Sequence, residues 1–226
     1  VTLYSSNKSG EYCFMYSGIH LMPNFEDLPF DERPDLTPYI VHLTKRSDSD
    51  GFTAYRNLIN ILRTGRLWGS DSESGFIKGE HKAVCFMDVP FFSLKYVLNP
   101  RDCNKTNPRY EPFGIFVSKK FAYKKRCRPV LYLSNQEIGK FNIPAKELWR
   151  VVRLEVDDDH WISWLHEREW RCKGDFVLPS EPLGVLVRNT TYAKKLAKEI
   201  KTSPNDFKSV PKSILPLSIM CQGFLK

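Results

Sequence analysis

The 226-residue sequence has no run of eighteen apolar residues and no basic-then-apolar segment at its start. These two absences exclude a transmembrane helix and a secretory signal within the sequence, so we expect a cytoplasmic protein with no membrane partner. A Walker loop, Gly-x-Gly-x-x-Gly, His-Glu-x-x-His and Gly-x-Ser-x-Gly are also missing. Their absence removes common nucleotide-binding, metalloprotease and hydrolase sites from consideration.

The six cysteines form neither a Cys-x-x-Cys pair nor a zinc-binding spacing, so we expect no metal site. Most of them have apolar or aromatic neighbours, which is typical of buried free thiols in a reducing compartment. A disulfide framework is the weaker alternative, because the chain is not small. The cysteines are Cys13, Cys85, Cys103, Cys127, Cys172 and Cys221.

Basic residues outnumber acidic ones by 34 to 26, a net charge of +8, which favours a polyanionic partner such as nucleic acid. One basic stretch is interleaved with aromatic residues and predicts a surface that neutralises and stacks a single strand. The alternative is an ordinary solvated face. The candidate nucleic-acid-binding residues are Lys119, Lys120, Lys124, Lys125 and Arg126.

The sequence predicts more strands than helices, without regular alternation between them, and therefore an α+β fold. We expect one domain: an irregular N-terminal wrap over 1–38, a core over 39–202 and an extension over 203–226. Predicted strands occupy 39–44, 83–89, 113–117, 129–133 and 183–187, with further short strands near 11–16 and 214–220. Predicted helices occupy 53–64, 91–98 and 192–201, and 148–156 fits either structure.

Residues 161–178 place a charged centre between two apolar flanks. As a strand, this segment puts Glu167, Glu169 and Arg171 on one face and Trp170 on the other, where it anchors the core. Two carboxylates and a guanidinium are costly to bury without partners, which indicates a cleft with a ligand. As a helix, the segment has an ordinary surface ion pair between Glu167 and Arg171.

Five short motifs in order resemble those of ADP-ribosyltransferase-like domains. The first two are similar to the opening of the DarT-type nucleic-acid ADP-ribosyltransferases and of the AbiGi-like abortive-infection proteins, and the other three are similar to the AbiGi-like set. The resemblance covers roughly 39–178. The motifs are His-x-Thr at 42–44, Asn-Leu-x-x-Ile-Leu-x-x-Gly-x-Leu at 57–67, Val-Cys-Phe-x-Asp-x-Pro at 84–90, Gly-Ile-x-x-x-Lys at 114–119 with Pro-Val-Leu-Tyr at 129–132, and Glu-Arg-Glu-Trp-Arg at 167–171.

This resemblance implies an ADP-ribosyltransferase-like split β-sheet core with flanking helices, and NAD as a substrate. It implies transfer of ADP-ribose to RNA or single-stranded DNA by a toxin or antiviral-defence effector, with a neutralising antitoxin as a possible partner. Two alternatives stay open. One is a catalytically silent binding module or antitoxin of the same fold, and the other is a transferase acting on protein arginine.

Carried onto this chain, the resemblance makes Glu169 the catalytic residue and Glu167 the accessory carboxylate, and predicts that Glu169→Gln abolishes activity with little loss of stability. His42 and Thr44 would hold the adenosine-side ribose, although a histidine at a strand end is more often a structural residue. The aromatic side chain that stacks on nicotinamide is Phe92 or Tyr132, with Phe91 and Tyr96 competing. Arg171 would keep the carboxylates ionised or contact the pyrophosphate.

A carboxylate suits this chemistry because cleavage of the nicotinamide–ribose bond develops positive charge on the sugar ring, as in glycoside hydrolysis. A carboxylate beneath that ring stabilises the transition state more than the ground state. The second carboxylate can deprotonate an incoming nucleophile if its pKa is suitable.

Overall fold

The computed structural model describes residues 33–47, 51–73, 76–99, 103, 106, 108–156, 161–182 and 184–221. Most of the predicted wrap, including the strand near 11–16, lies outside these ranges. Within them no helix is both long and apolar enough to cross a bilayer.

The described residues form thirteen strands and six α-helices, which confirms the α+β prediction. The strands are β1 Tyr39–Leu43, β2 Arg66–Leu67, β3 Ala83–Met87, β4 Gly114–Ser118, β5 Arg128–Pro129, β6 Leu131–Leu133, β7 Val151–Arg153, β8 Glu155–Val156, β9 Trp161–Ile162, β10 Glu169–Lys173, β11 Phe176–Val177, β12 Gly184–Val187 and β13 Ile214–Pro216. The helices are α1 Ala54–Thr64, α2 Leu94–Val97, α3 Lys119–Lys124, α4 Asn135–Lys140, α5 Thr190–Thr202 and α6 Leu217–Met220, with 3₁₀ turns at Phe91–Ser93, Ala145–Arg150, Leu165–Glu167 and Pro204–Asp206.

A seven-stranded sheet in the order β13-β12-β4-β1-β3-β10-β5 forms the centre of the fold. Its neighbours are antiparallel except for the parallel pair β12 and β13. Because β13 lies in the predicted extension over 203–226, the sheet reaches beyond the predicted core. Three two-stranded pairs flank the sheet: β2 with β11, β6 with β7, and β8 with β9.

Helix α1 shows how closely local sequence signals set an element. Thr53 caps it by accepting a hydrogen bond from the Arg56 amide at 3.2 Å, and Gly65 ends it at φ +64°. Leu58 and Leu62, four residues apart, have no exposed surface. The predicted helix over 53–64 is confirmed, with its first residue serving as the cap.

The sheet has a core on each face. Val41, Met87 and Glu169 are in register across β1, β3 and β10, so their side chains share one side, here called the Glu169 face. Ile40 and Phe86 lie on the opposite side, here called the α1 face. Buried residues of the α1 face include Leu58, Leu62 and Leu196, whereas those of the Glu169 face include Leu94, Leu186 and Leu217.

Several predicted elements differ from the observed ones. Residues 129–133 form two strands with different partners, because β5 pairs with β10 whereas β6 pairs parallel with β7. Residues 148–156 contain a 3₁₀ turn followed by β7 and β8. The predicted last strand stops at Pro216 and continues as α6. The amphipathic pattern of α5 predicts that Ala197 faces inward, but this residue is exposed.

Candidate active site

The side chains of Glu169 and Arg171 form a buried ion pair on β10, with 7% and 3% of their surfaces exposed. The guanidinium donates from Nε to Glu169 Oε1 at 2.7 Å and from Nη2 to Oε2 at 3.2 Å. Nη1 donates to the carbonyls of Trp149 and Val151 at 2.9 and 3.2 Å. Every guanidinium nitrogen is therefore engaged inside the protein. This arrangement suits the role of orienting Glu169 better than a contact with a pyrophosphate.

Tyr132 on β6 holds the backbone of Glu169. Its hydroxyl accepts a hydrogen bond from the Glu169 amide at 2.9 Å and donates to the Trp164 carbonyl at 3.4 Å. Burial, together with the nearby glutamate charges, raises the pKa of Tyr132 to about 12, so its hydroxyl keeps its proton. Its predicted stacking on nicotinamide stays a prediction.

Glu167 reaches the site from a turn, and its predicted place on the same strand face as Glu169 is wrong. Residues Leu165–Glu167 form a 3₁₀ turn, and Arg168 is left-handed at φ +44°. The strand starts only at Glu169. A non-glycine residue in this conformation is uncommon, and the sequence contains no signal for it.

Asp88 secures the turn that carries Glu167. Its amide donates to the carbonyls of Glu167 and Arg168 at 3.1 and 3.3 Å, and the Arg168 Nε donates back to the Asp88 carbonyl at 2.7 Å. The Asp88 carboxylate pairs with Lys119 at 2.8 Å. The unusual backbone of Arg168 is therefore held by a neighbouring loop that is remote in sequence.

The Glu167 carboxylate is half-buried and accepts a hydrogen bond from the Tyr110 hydroxyl. Burial raises its pKa, as does the charge of Glu169, whereas Tyr110 and Arg109 act in the opposite direction. A carboxyl with a raised pKa holds a proton more readily, which is the direction that a general base requires. Tyr110 has no motif of its own, so sequence reasoning missed it.

We expect Glu167→Gln to stabilise the fold at pH 8 but not at pH 4. A carboxyl whose pKa is raised by folding destabilises the folded state when ionised. That penalty is absent below its unfolded pKa, about 4.3, and complete above its folded pKa. A pKa raised by one unit corresponds to about 1.4 kcal/mol, or roughly 3–6 °C in Tm for a chain of this size. Thermal unfolding at both pH values tests this, and a Tm difference independent of pH would contradict it.

His42 and Thr44 lie on the α1 face, opposite Glu169. The His42 Nδ1 donates to the Cys85 carbonyl at 2.8 Å, and its ring contacts Phe86 edge-on. Burial lowers the pKa of His42, which favours the neutral ring. The Thr44 side chain is buried, and its hydroxyl lies 3.1 Å from the Ala54 carbonyl and 3.2 Å from that of Phe113. The sheet therefore does not bring these two side chains together with Glu169, and their ribose contacts stay predictions.

The other aromatic candidates for stacking on nicotinamide differ in accessibility. Phe91 stacks on Tyr39 at 5.6 Å and is packed in the core of the Glu169 face. Phe92 and Tyr96 are 71% and 70% exposed. Either of these two rings is accessible to a ligand, whereas Phe91 is partly buried.

Four of the five predicted nucleic-acid-binding residues form an exposed basic surface: Lys120, Lys124, Lys125 and Arg126. Lys119 differs, because its ammonium is largely covered and pairs with Asp88. The predicted aromatic interleaving is present at Tyr123, which is 55% exposed and carries the Arg128 guanidinium 3.6 Å above its ring.

A group of aromatic rings around Trp164, here called the Trp164 cluster, adjoins the turn that carries Glu167. The Trp164 ring lies 6.5 Å from Phe76 and 6.0 Å from His166, and the Arg109 guanidinium lies 4.2 Å above it. Phe76 is 88% exposed. An exposed aromatic and cationic surface of this kind can stack a nucleobase. No motif or spacing in the sequence groups these residues.

The sequence matches no protein-family model and no curated protein. Two solved structures are similar to this chain: DarT from Thermus sp. 2.9 in complex with NAD+, at 15% identity and a TM-score of 0.43, and the same protein in complex with carba-NAD+, at 14% and 0.42. Each comparison covers 80% of this chain and 96% of the other.

Proposed function

We propose that this chain transfers ADP-ribose from NAD to a nucleic acid. The observation that carries the proposal is the pair of carboxylates at the start of β10. Arg171 orients Glu169 through hydrogen bonds to both carboxylate oxygens. Glu167 lies close enough to Glu169 for the charge of Glu169 to raise the Glu167 pKa. Few structural roles require two acidic groups in one poorly solvated site.

In this mechanism Glu169 stabilises the positive charge that develops on the ribose as nicotinamide leaves. Glu167 accepts the proton of the attacking group of the acceptor as the new bond to the ribose forms. Arg171 positions the Glu169 carboxylate, and Tyr132 positions the Glu169 amide. Pre-set geometry of this kind lowers the barrier because less rearrangement is needed during the reaction.

A nucleic acid is the acceptor that the surface charge favours. The exposed basic residues of and after α3 can contact phosphates, and the Trp164 cluster offers a ring beside Glu167 for an unpaired base. We extend the proposal to a cytoplasmic toxin or antiviral-defence effector that a neutralising antitoxin restrains, since damage to a cell's own nucleic acid requires such control. A transferase acting on protein arginine is the alternative that Glu167 at the accessory position favours.

A catalytically silent binding module is the second candidate. Its specific support is that both oxygens of Glu169 are occupied by Arg171 and that His42 and Thr44 lie across the sheet. In that case the ion pair would be structural.

Incubation with labelled NAD and, separately, single-stranded DNA, RNA and a protein lysate tests the proposed function. We expect label in a nucleic acid. Label in protein alone would favour the arginine-directed alternative, and intact NAD without any labelling would favour the silent module.

The variant Lys124→Glu/Lys125→Glu should weaken binding of a single strand. Loss of two phosphate contacts should reduce the slope of log affinity against log salt by about 1.4. The matched control is Lys140→Glu/Lys146→Glu, which makes the same charge change at two exposed positions elsewhere. Equal effects of the two variants would rule out a specific interface on the basic surface.

A further inference from the structure

A cavity of about 590 Å³ lies on the α1 face, between α1 and α5. Its size is within the range of about 300–1,000 Å³ that is typical of small-molecule sites. It shares no residue with the candidate active site, and the central sheet separates it from Glu169. The carboxylate chemistry proposed for Glu169 and Glu167 does not involve it.

Basic side chains dominate the wall of this cavity. Arg56 and Arg63 project from α1, and they are seven residues apart, which corresponds to about 10.5 Å along the helix. Arg188 precedes α5, and Lys195 lies within it. These four cations come from α1, from α5 and from the segment between β12 and α5, and they border the same space. Arg63 also pairs with Asp206 at 3.7 Å. The arrangement suits a ligand with more than one anionic group.

The two carboxylates that line the cavity have protein partners. Glu111 pairs with Arg46 at 3.1 Å and also accepts the Arg46 amide at 2.6 Å. Glu199 accepts a hydrogen bond from the Tyr55 hydroxyl at 2.9 Å. Because these acids already interact with protein groups, they offset the basic wall less than their number suggests.

The interior of the cavity is aromatic. The half-buried ring of Tyr192 contacts Phe113 and Tyr55 at centroid distances of 4.9 and 5.1 Å, and the buried Ile59 lies beside them. The Lys195 ammonium lies 4.7 Å above the Tyr55 ring. An aromatic interior beneath a basic rim is complementary to a flat base that carries phosphate groups.

We propose that this cavity is a nucleotide-binding site, separate from the carboxylate site, in which Arg56, Arg63, Arg188 and Lys195 hold phosphate groups and Tyr192 contacts the base. The nucleotide can be free or part of a strand, since both present the same chemistry. The proposal does not depend on transferase activity.

Calorimetric titration with ADP, and separately with a ten-nucleotide single strand, tests the site. We expect the full chain to bind ADP, and Arg56→Glu/Lys195→Glu to weaken that binding at least about tenfold, since two charge-assisted contacts become repulsive. Arg188→Glu is a second, independent variant with the same expected direction. Arg56, Arg188 and Lys195 are all exposed, so these changes should preserve the circular dichroism spectrum.

The control Lys140→Glu/Lys146→Glu carries the same charge change and should bind ADP like the unmodified chain. Binding of ADP alone would identify a free nucleotide, and tighter binding of the strand would identify a strand phosphate; both outcomes support the site. Three outcomes would overturn it: no binding of either probe, equal losses in the control, or ADP binding that Arg56→Glu/Lys195→Glu leaves unchanged, which would place the probe in another site.

Discussion

Glu169→Gln should reduce ADP-ribose transfer by a factor on the order of 10³. The substitution keeps the shape of the side chain and one acceptor oxygen but removes the negative charge that stabilises the developing cation on the ribose. The measurement is single-turnover transfer of labelled ADP-ribose at saturating NAD. A variant that turns over NAD like the unmodified protein would contradict the assignment of Glu169 as the catalytic residue.

The same substitution should also destabilise the fold, in contrast to the little loss that the sequence alone led us to expect. Arg171 is 3% exposed and has its carboxylate partner removed, leaving a buried charge without compensation. Breaking a buried pair in this way costs about 3–5 kcal/mol, and the retained amide oxygen of Gln should reduce that cost. Thermal unfolding of the variant and the unmodified protein measures this loss of stability.

The double variant Glu169→Gln/Arg171→Met separates the two effects. It removes both charges of the pair and replaces the guanidinium by an apolar side chain, so stability should recover toward that of the unmodified protein. Transfer should remain lost. Recovery of activity together with stability would show that Glu169 acts only through the fold.

Glu167→Gln should reduce transfer to the acceptor about 100-fold while leaving hydrolysis of NAD by water within about tenfold, since a general base contributes about 10²–10⁴-fold. The reason is that Glu167 acts on the acceptor, whereas Glu169 acts on the ribose. The ratio of labelled acceptor to free ADP-ribose, measured from one reaction, reports this directly. Equal losses of both products would assign Glu167 to the ribose instead.

Tyr110→Phe provides the matched control. The Tyr110 hydroxyl donates to Glu167 and lowers its pKa, so its removal should move the acidic limb of the transfer rate to higher pH. Glu167→Gln should abolish that limb. If neither variant changes the acidic limb of the pH profile, the titration of a group other than Glu167 causes it.

Local sequence signals determined many of the elements on which the fold is built. The cap at Thr53, the left-handed Gly65 and the four-residue spacing of Leu58 and Leu62 set α1. The apolar runs of β3, β4 and β12 identified central strands, because buried strands exclude polar residues on both faces. The alternation of Glu169 and Arg171 was likewise readable, since side chains two apart on a strand share a face.

Only the tertiary structure decided which of these side chains meet. Glu167 left the strand because Arg168 adopts a left-handed backbone that Asp88 secures from 80 residues away, and no local pattern encodes such a contact. The register of β1 against β3 placed His42 on the side of the sheet opposite to Glu169, and a shift of one residue would have placed it on the same side. Tyr110, Tyr132 and Trp164 joined the site through loop packing and non-local hydrogen bonds. The sequence therefore determined the elements and the candidate residues through short-range periodicity, whereas the composition of each site depended on long-range register and loop contacts that exist only in the folded chain.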